Sequence, residues 1–180
     1  MKGRVLIAGV GNIFLGDDSF GVEVAKRLAA TDLPDWVQVA DYGISGMHLA
    51  YDLADGYDTA ILVDTAQRGG EPGTLTVIDA SQERQRAAGA GTLAESRLFD
   101  AHGMQPDVVL GVLDMLGAGS ARVLVVGCEP ATLDYGMELS EPVANAVDGA
   151  VQIVLDLVAD AGVKAGRDGE GASHVPRHTR

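Results

Sequence analysis

Three short apolar runs constrain this chain more than any other feature. Arg4–Ala8 (RVLIA), Thr59–Val63 (TAILV) and Arg122–Val126 (RVLVV) each contain β-branched residues and are followed at once by glycine or aspartate. Runs of this length without polar alternation fit strands buried on both faces, as in a parallel sheet covered by helices, and are too short for buried helices. Between them the spacing becomes helical. Phe20, Val22, Val24, Ala25, Leu28 and Ala29 form one apolar stripe, with Ser19 placed to cap it and Asp17 and Asp18 just before its positive end. Trp36–Ala40 (WVQVA) alternates as a further strand, and residues 41–46 (DYGISG) lead into a helix near Met47–Leu53. Strands alternating with helices predict a layered α/β sandwich, in which functional residues gather at the carboxyl ends of the strands.

The connector after Asp64, residues 67–73 (QRGGEPG), is too short and too broken for a crossover helix. Thr74–Ile78 is therefore expected to run antiparallel to the strand before it. Residues 79–104 show no readable period. A helix is expected from about Gln105 to Leu116, and a last helix begins at Ser140, with Pro142 in its first turn and Val143–Leu157 supplying the apolar stripe. Val147, Val151 and Leu155 on that stripe read as core, so they give no reason to expect a dimer. With 180 residues, 47% of them hydrophobic, one domain over residues 1–163 is expected. Residues 164–180 lack periodicity, and Gly166–Arg180 reads as a disordered tail.

Charge and cysteine content narrow the function classes. Thirteen basic against 26 acidic side chains leave a formal charge of −13, without the basic footprint that nucleic-acid binding needs. No stretch reaches the roughly 20 apolar residues of a membrane span, and Val5–Val10 is too short for a signal segment and is broken by Gly9. A single cysteine, Cys128, precludes an intramolecular disulfide and suits a reducing compartment. The expectation is a soluble, cytoplasmic monomer.

Several constellations could carry chemistry. Gly9-Val10-Gly11-Asn12-Ile13-Phe14 opens like a dinucleotide fingerprint, but phenylalanine stands where the third glycine belongs, and Asp17 and Asp18 would repel a pyrophosphate. A tight turn is the better reading. Asp18 after the first strand, Asp64 after the third, and His102 before a later helix make a divalent-cation set of two oxygens and one nitrogen, with coordination positions left open. The bland alternative is that the aspartates serve turns and caps and that the histidine is a polar loop residue. A cysteine-protease pair of Cys128 and His102 is a rival, although Cys128 ends an apolar run and also reads as core filler. His48 reads as a helix-surface residue, and His174 and His178 as tail residues.

Five segments, in one order, carry a resemblance: Gly9-Val10-Gly11-Asn12 with Gly16-Asp17-Asp18 and Gly21; Asp41-Tyr42-Gly43-Ile44-Ser45-Gly46-Met47; Leu62-Val63-Asp64; His102-Gly103-Met104; and Val126-Gly127-Cys128-Glu129-Pro130. Together they resemble the hydrogenase maturation endopeptidases. The resemblance implies a three-layer α/β/α sandwich with a five-stranded, mostly parallel sheet containing one antiparallel strand. It also implies removal of a C-terminal extension from the large-subunit precursor of a nickel–iron hydrogenase once nickel is inserted. Asp18, Asp64 and His102 would then contact nickel and take part in catalysis, while Asp41 and Gly43 would handle substrate. The nickel is supplied by the substrate, and the same ligands suit other divalent cations. A non-catalytic checkpoint or chaperone that binds nickel-loaded large subunit would use the same residues.

Overall fold

The computed structural model describes residues 3–81 and 121–169, with side-chain surroundings described as far as residue 162. The elements are β1 (Val5–Val10), a 3-10 turn (Gly16–Ser19), α1 (Phe20–Ala29), β2 (Val37–Gly43), α2 (Gly46–Ala54), β3 (Thr59–Thr65), β4 (Leu75–Asp79), β5 (Arg122–Cys128) and α3 (Glu141–Gly169). His102 and the helix expected over 105–116 lie outside the described residues.

The strands form one sheet in the order β2-β1-β3-β5-β4. β1 is parallel to β2 and β3, and β3 is parallel to β5; β4 alone runs antiparallel, against β5. The expected reversal of Thr74–Ile78 is therefore present. Its partner, however, is the strand that follows it in sequence rather than the one before, so β4 forms an edge.

The apolar runs are explained by burial on both faces. Val5, Ile7, Ile61, Val63, Leu124 and Val126 point to one side, where they meet Phe20, Val24 and Leu28 of α1 and the Val143, Val147, Ala150, Val154 stripe of α3. Leu6, Ala8, Val10, Ala60, Leu62, Val123 and Val125 point to the other, against Leu49 and Leu53 of α2. Helices thus flank the sheet on both sides. Glu141–Gly162 has the length and hydropathy of a membrane-crossing helix, but its most buried positions recur at helical spacing and face the sheet, as in a core helix.

Two local expectations are corrected. Ser19 does not cap α1 with its side chain; a 3-10 turn precedes the helix, and the Ser19 hydroxyl donates to the Gly16 carbonyl at 2.8 Å. The last helix does not stop where its apolar stripe ends, since α3 continues to Gly169, into the region read as tail. Residues 170–180 lie outside the described residues.

α1 lies so close to the strand ends that one position tolerates only glycine. A Cβ on Gly21 would fall 2.0 Å from the Val63 carbonyl oxygen and 2.3 Å from that of Val10. Glycine to alanine within a helix ordinarily stabilises by about 1 kcal/mol. Here both obstacles are main chain, so Gly21→Ala is expected to destabilise by about 3 kcal/mol through overpacking. The midpoint of urea unfolding reads this directly, and an unchanged or raised midpoint would contradict the packing described.

Candidate active site

The sheet topology singles out one place. From β1 the chain passes through α1, on one face, to β2 at one side of β1; from β2 it returns through α2, on the other face, to β3 at the opposite side. The carboxyl ends of β1 and β3 therefore flank a topological switch point, where open α/β sheets form their crevices. The turn after β1 brings Asp18 to this point, and β3 brings Asp64 and Thr65.

Asp18 and Asp64 come together as expected from the sequence. Asp18 is 2% exposed; its Oδ2 accepts the Asn12 N–H at 2.8 Å and its Oδ1 the Thr65 hydroxyl at 3.1 Å. Asp64 is 8% exposed, and its Oδ1 accepts the Thr65 N–H at 2.7 Å. Among the described residues, Asp64 Oδ2 has no donor, and no lysine or arginine forms an ion pair with either acid. Burial, with the Asp18 charge adding to it, pushes the Asp64 carboxyl well above the usual carboxylate range, against the pull of the hydrogen bonds from Thr65. The described residues do not by themselves supply three grouped metal-binding side chains, and His102 is outside them.

Asp17 has a different place. It is fully buried, and its carboxylate accepts four hydrogen bonds: from the Ala131 N–H (2.8 Å), the Thr132 N–H (3.0 Å), the Ser140 N–H (2.6 Å) and the Ser140 hydroxyl (2.8 Å). Ser140, expected to cap the last helix, directs its hydroxyl to this acid. The Asp17 N–H donates to the Thr132 carbonyl, the Gly16 N–H to the Gly136 carbonyl, and the Gly136 N–H to the Phe14 carbonyl. The turn carrying Asp18 and the loop after β5 are thereby stitched into one unit, and Tyr135 (91% exposed) and Met137 (72%) stand on its surface.

Gly11 is explained by the same turn. Its φ of +139° is one that side chains rarely adopt, and a Cβ there would lie 1.7 Å from the Asp18 carbonyl oxygen. The glycine serves the close approach of the acid turn to β1. Asp41 and Gly43 end the neighbouring strand. Asp41 Oδ1 accepts the Gly43 N–H at 2.8 Å, and the Gly43 carbonyl accepts the Gly11 N–H at 2.9 Å. The aspartate thus ties down its own turn, and that turn adjoins the β1 loop.

Cys128 is fully buried beneath α3. Burial, with the charges of Asp17 and Glu129 adding to it, pushes its thiol up to about 12, against a lowering contribution from the Gly73 main chain. A thiol held protonated in the core is a poor nucleophile, which weighs against the cysteine-protease pair. His48 is exposed on α2, with its Nδ1 2.8 Å from the Ser45 hydroxyl. His174 and His178 lie outside the described residues.

The model of one protein family, described as hydrogenase maturation protease, matches residues 22–157. The chain belongs to that family. It is 36% identical over 158 residues to a putative hydrogenase maturation protease of Methanocaldococcus jannaschii, covering 86% of this chain and 96% of that protein. It is 30% identical over 164 residues to the hydrogenase 2 maturation protease of Escherichia coli, covering 90% and 94%. Among solved structures it is similar to the hydrogenase maturating endopeptidase HybD of E. coli, with a TM-score of 0.72, 28% identity, and coverage of 88% of this chain and 94% of that one. Family members are peptidases, so the buried acid pair is the natural place to look for the chemistry.

Sequence alone gives Thr65 no role and leaves Asp17 as the less favoured half of an acidic pair at the positive end of α1. Thr65 follows Asp64 directly, and that adjacency was the available signal. Asp17 gave no local sign of its partners, which lie 114–123 residues further along the chain.

Proposed function

We propose that this protein is an endopeptidase that removes the C-terminal extension of a nickel–iron hydrogenase large-subunit precursor after nickel insertion, with Asp18, Asp64 and His102 engaging the nickel carried by that substrate. The supporting observation is the pairing of two nearly buried carboxylates at the switch point with no described cation beside them. Like charges that share a small buried site repel each other, and a divalent cation arriving with the substrate would relieve that repulsion. Asp64 Oδ2, which lacks a described donor, is the oxygen left to meet it, and a histidine nitrogen would complete a set suited to nickel.

In this reading the protein holds no resident metal. Engagement of nickel anchors the substrate so that its scissile peptide lies beside the acids at high effective concentration. The cation supplies the polarisation of a water or carbonyl needed for hydrolysis, while the protein supplies fixed carboxylate geometry and a largely dry setting. Asp41 and Gly43, at the adjoining turn, would contact the incoming chain. A cytoplasmic monomer that meets its substrate transiently fits the reading.

Intact-mass analysis of a cognate precursor, with and without nickel, after incubation with catalytic amounts of this protein tests it. Loss of one discrete C-terminal peptide from the nickel-loaded form alone is the expected result. An unchanged mass for the nickel-loaded precursor would overturn the catalytic reading in favour of a non-catalytic checkpoint.

A further inference from the structure

Thr65 links the two acids. It ends β3 directly after Asp64, its main-chain N–H holds Asp64 Oδ1 at 2.7 Å, and its hydroxyl lies 3.1 Å from Asp18 Oδ1 and 3.5 Å from Asp64 Oδ1. A threonine hydroxyl has one proton to give, and the shorter contact directs it to Asp18. The other oxygen of Asp18 is held by the Asn12 N–H. Each oxygen of Asp18 therefore has its own donor, and the carboxylate cannot turn without losing one of them. With the hydroxyl removed, Asp18 Oδ1 would lose its donor beside β3, and the carboxylate would be free to turn away toward another donor or water.

We infer that Thr65 is a positioning residue for the peptidase reaction: its hydroxyl fixes the orientation of the Asp18 carboxylate relative to Asp64. The catalytic part of this inference rests on the function proposed above; the orienting part does not. Thr65→Val removes the hydroxyl at nearly constant volume, and Thr65→Ser keeps the hydroxyl while dropping the methyl group. Thr65→Ala provides a second hydroxyl-free variant should the valine form fail to fold.

Crystal structures of the variants and cleavage kinetics on nickel-loaded precursor are measured side by side. The hydroxyl-free variant is expected to show the Asp18 carboxylate rotated away from Asp64, with kcat lowered roughly 10- to 100-fold by the misplaced group. KM is expected to stay within about twofold, because affinity for a protein substrate comes from the wider contact surface. Thr65→Ser is expected to keep the parent orientation and kcat within about threefold, as a retained donor should. An unmoved Asp18 carboxylate in the hydroxyl-free variant overturns the inference, as does unchanged kcat or a serine variant as impaired as valine. If the parent protein itself fails to cut, the proposed function falls, and the carboxylate orientation alone still decides the role of Thr65.

Discussion

An Asp64→Asn variant is expected to lose cleavage of nickel-loaded precursor by on the order of a thousandfold or more, the scale of removing one member of a catalytic group, and yet to melt at a higher temperature than the parent protein at neutral pH. The two effects share one cause. Asp64 is held where burial and then the Asp18 charge disfavour its ionised form. A carboxyl whose folded-state pKa lies above its unfolded value weakens the fold at pH values above that unfolded value, increasingly so until the pH passes the folded pKa. Asparagine removes this penalty, and its side-chain oxygen can still accept the Thr65 N–H that Asp64 Oδ1 accepts at 2.7 Å. The gain in melting temperature should therefore be largest at neutral to alkaline pH and vanish below about pH 4, near the unfolded aspartate value. Melting curves of both proteins across this range check the sign. A lower melting temperature for Asp64→Asn at pH 7 to 8 would mean that the fold favours the charged form, contrary to the environment described.

The second large effect is on stability and concerns the neighbouring acid. Asp17→Ala is expected to destabilise the fold by about 3 kcal/mol or more, because the Ala131, Thr132 and Ser140 N–H groups and the Ser140 hydroxyl all lose their acceptor. That is a large share of a typical total of about 5–15 kcal/mol, and it corresponds to a fall in melting temperature of roughly 10 °C for a chain of this size. Asp17→Asn keeps one acceptor oxygen but turns an amide toward donors, so it is expected to fall between the two. Urea unfolding measures both. A midpoint for Asp17→Ala equal to that of the parent would show that these four bonds do not hold the loop.

The contrast between Asp17 and Asp18 also shows what could be read in the chain and what could not. The three central strands were legible because each is buried on both faces, a condition that leaves a continuous apolar run. The reversed direction of β4 was legible from a connector too short for a crossover. Its position beside β5 was not, because about forty residues separate the two strands and the first part of that stretch, to residue 104, carries no readable period. The two aspartates are adjacent and chemically identical, so only partners from residues 131–140 separate a buried clamp from a member of the acid pair. Ser19 and Ser140 both looked like helix caps, a local rule, and both direct their hydroxyls elsewhere because a 3-10 turn and a buried acid compete for them. Asp18 and Asp64 were legible as a pair through the rule that strand ends gather function. The threonine between them was not, since a hydroxyl beside an acid is commonplace in sequence.

The anchoring of Asp17 also has a consequence in time. The acid turn is synthesised more than a hundred residues before its four hydrogen-bond donors, which belong to residues 131, 132 and 140. Until the ribosome has released that stretch, the turn has none of these anchors, and Asp18 depends on Asn12 and Thr65 alone. A chain that has not yet reached residue 140 would thus carry the acids without the clamp that fixes their turn, and competence to cut would arrive only once that stretch has emerged.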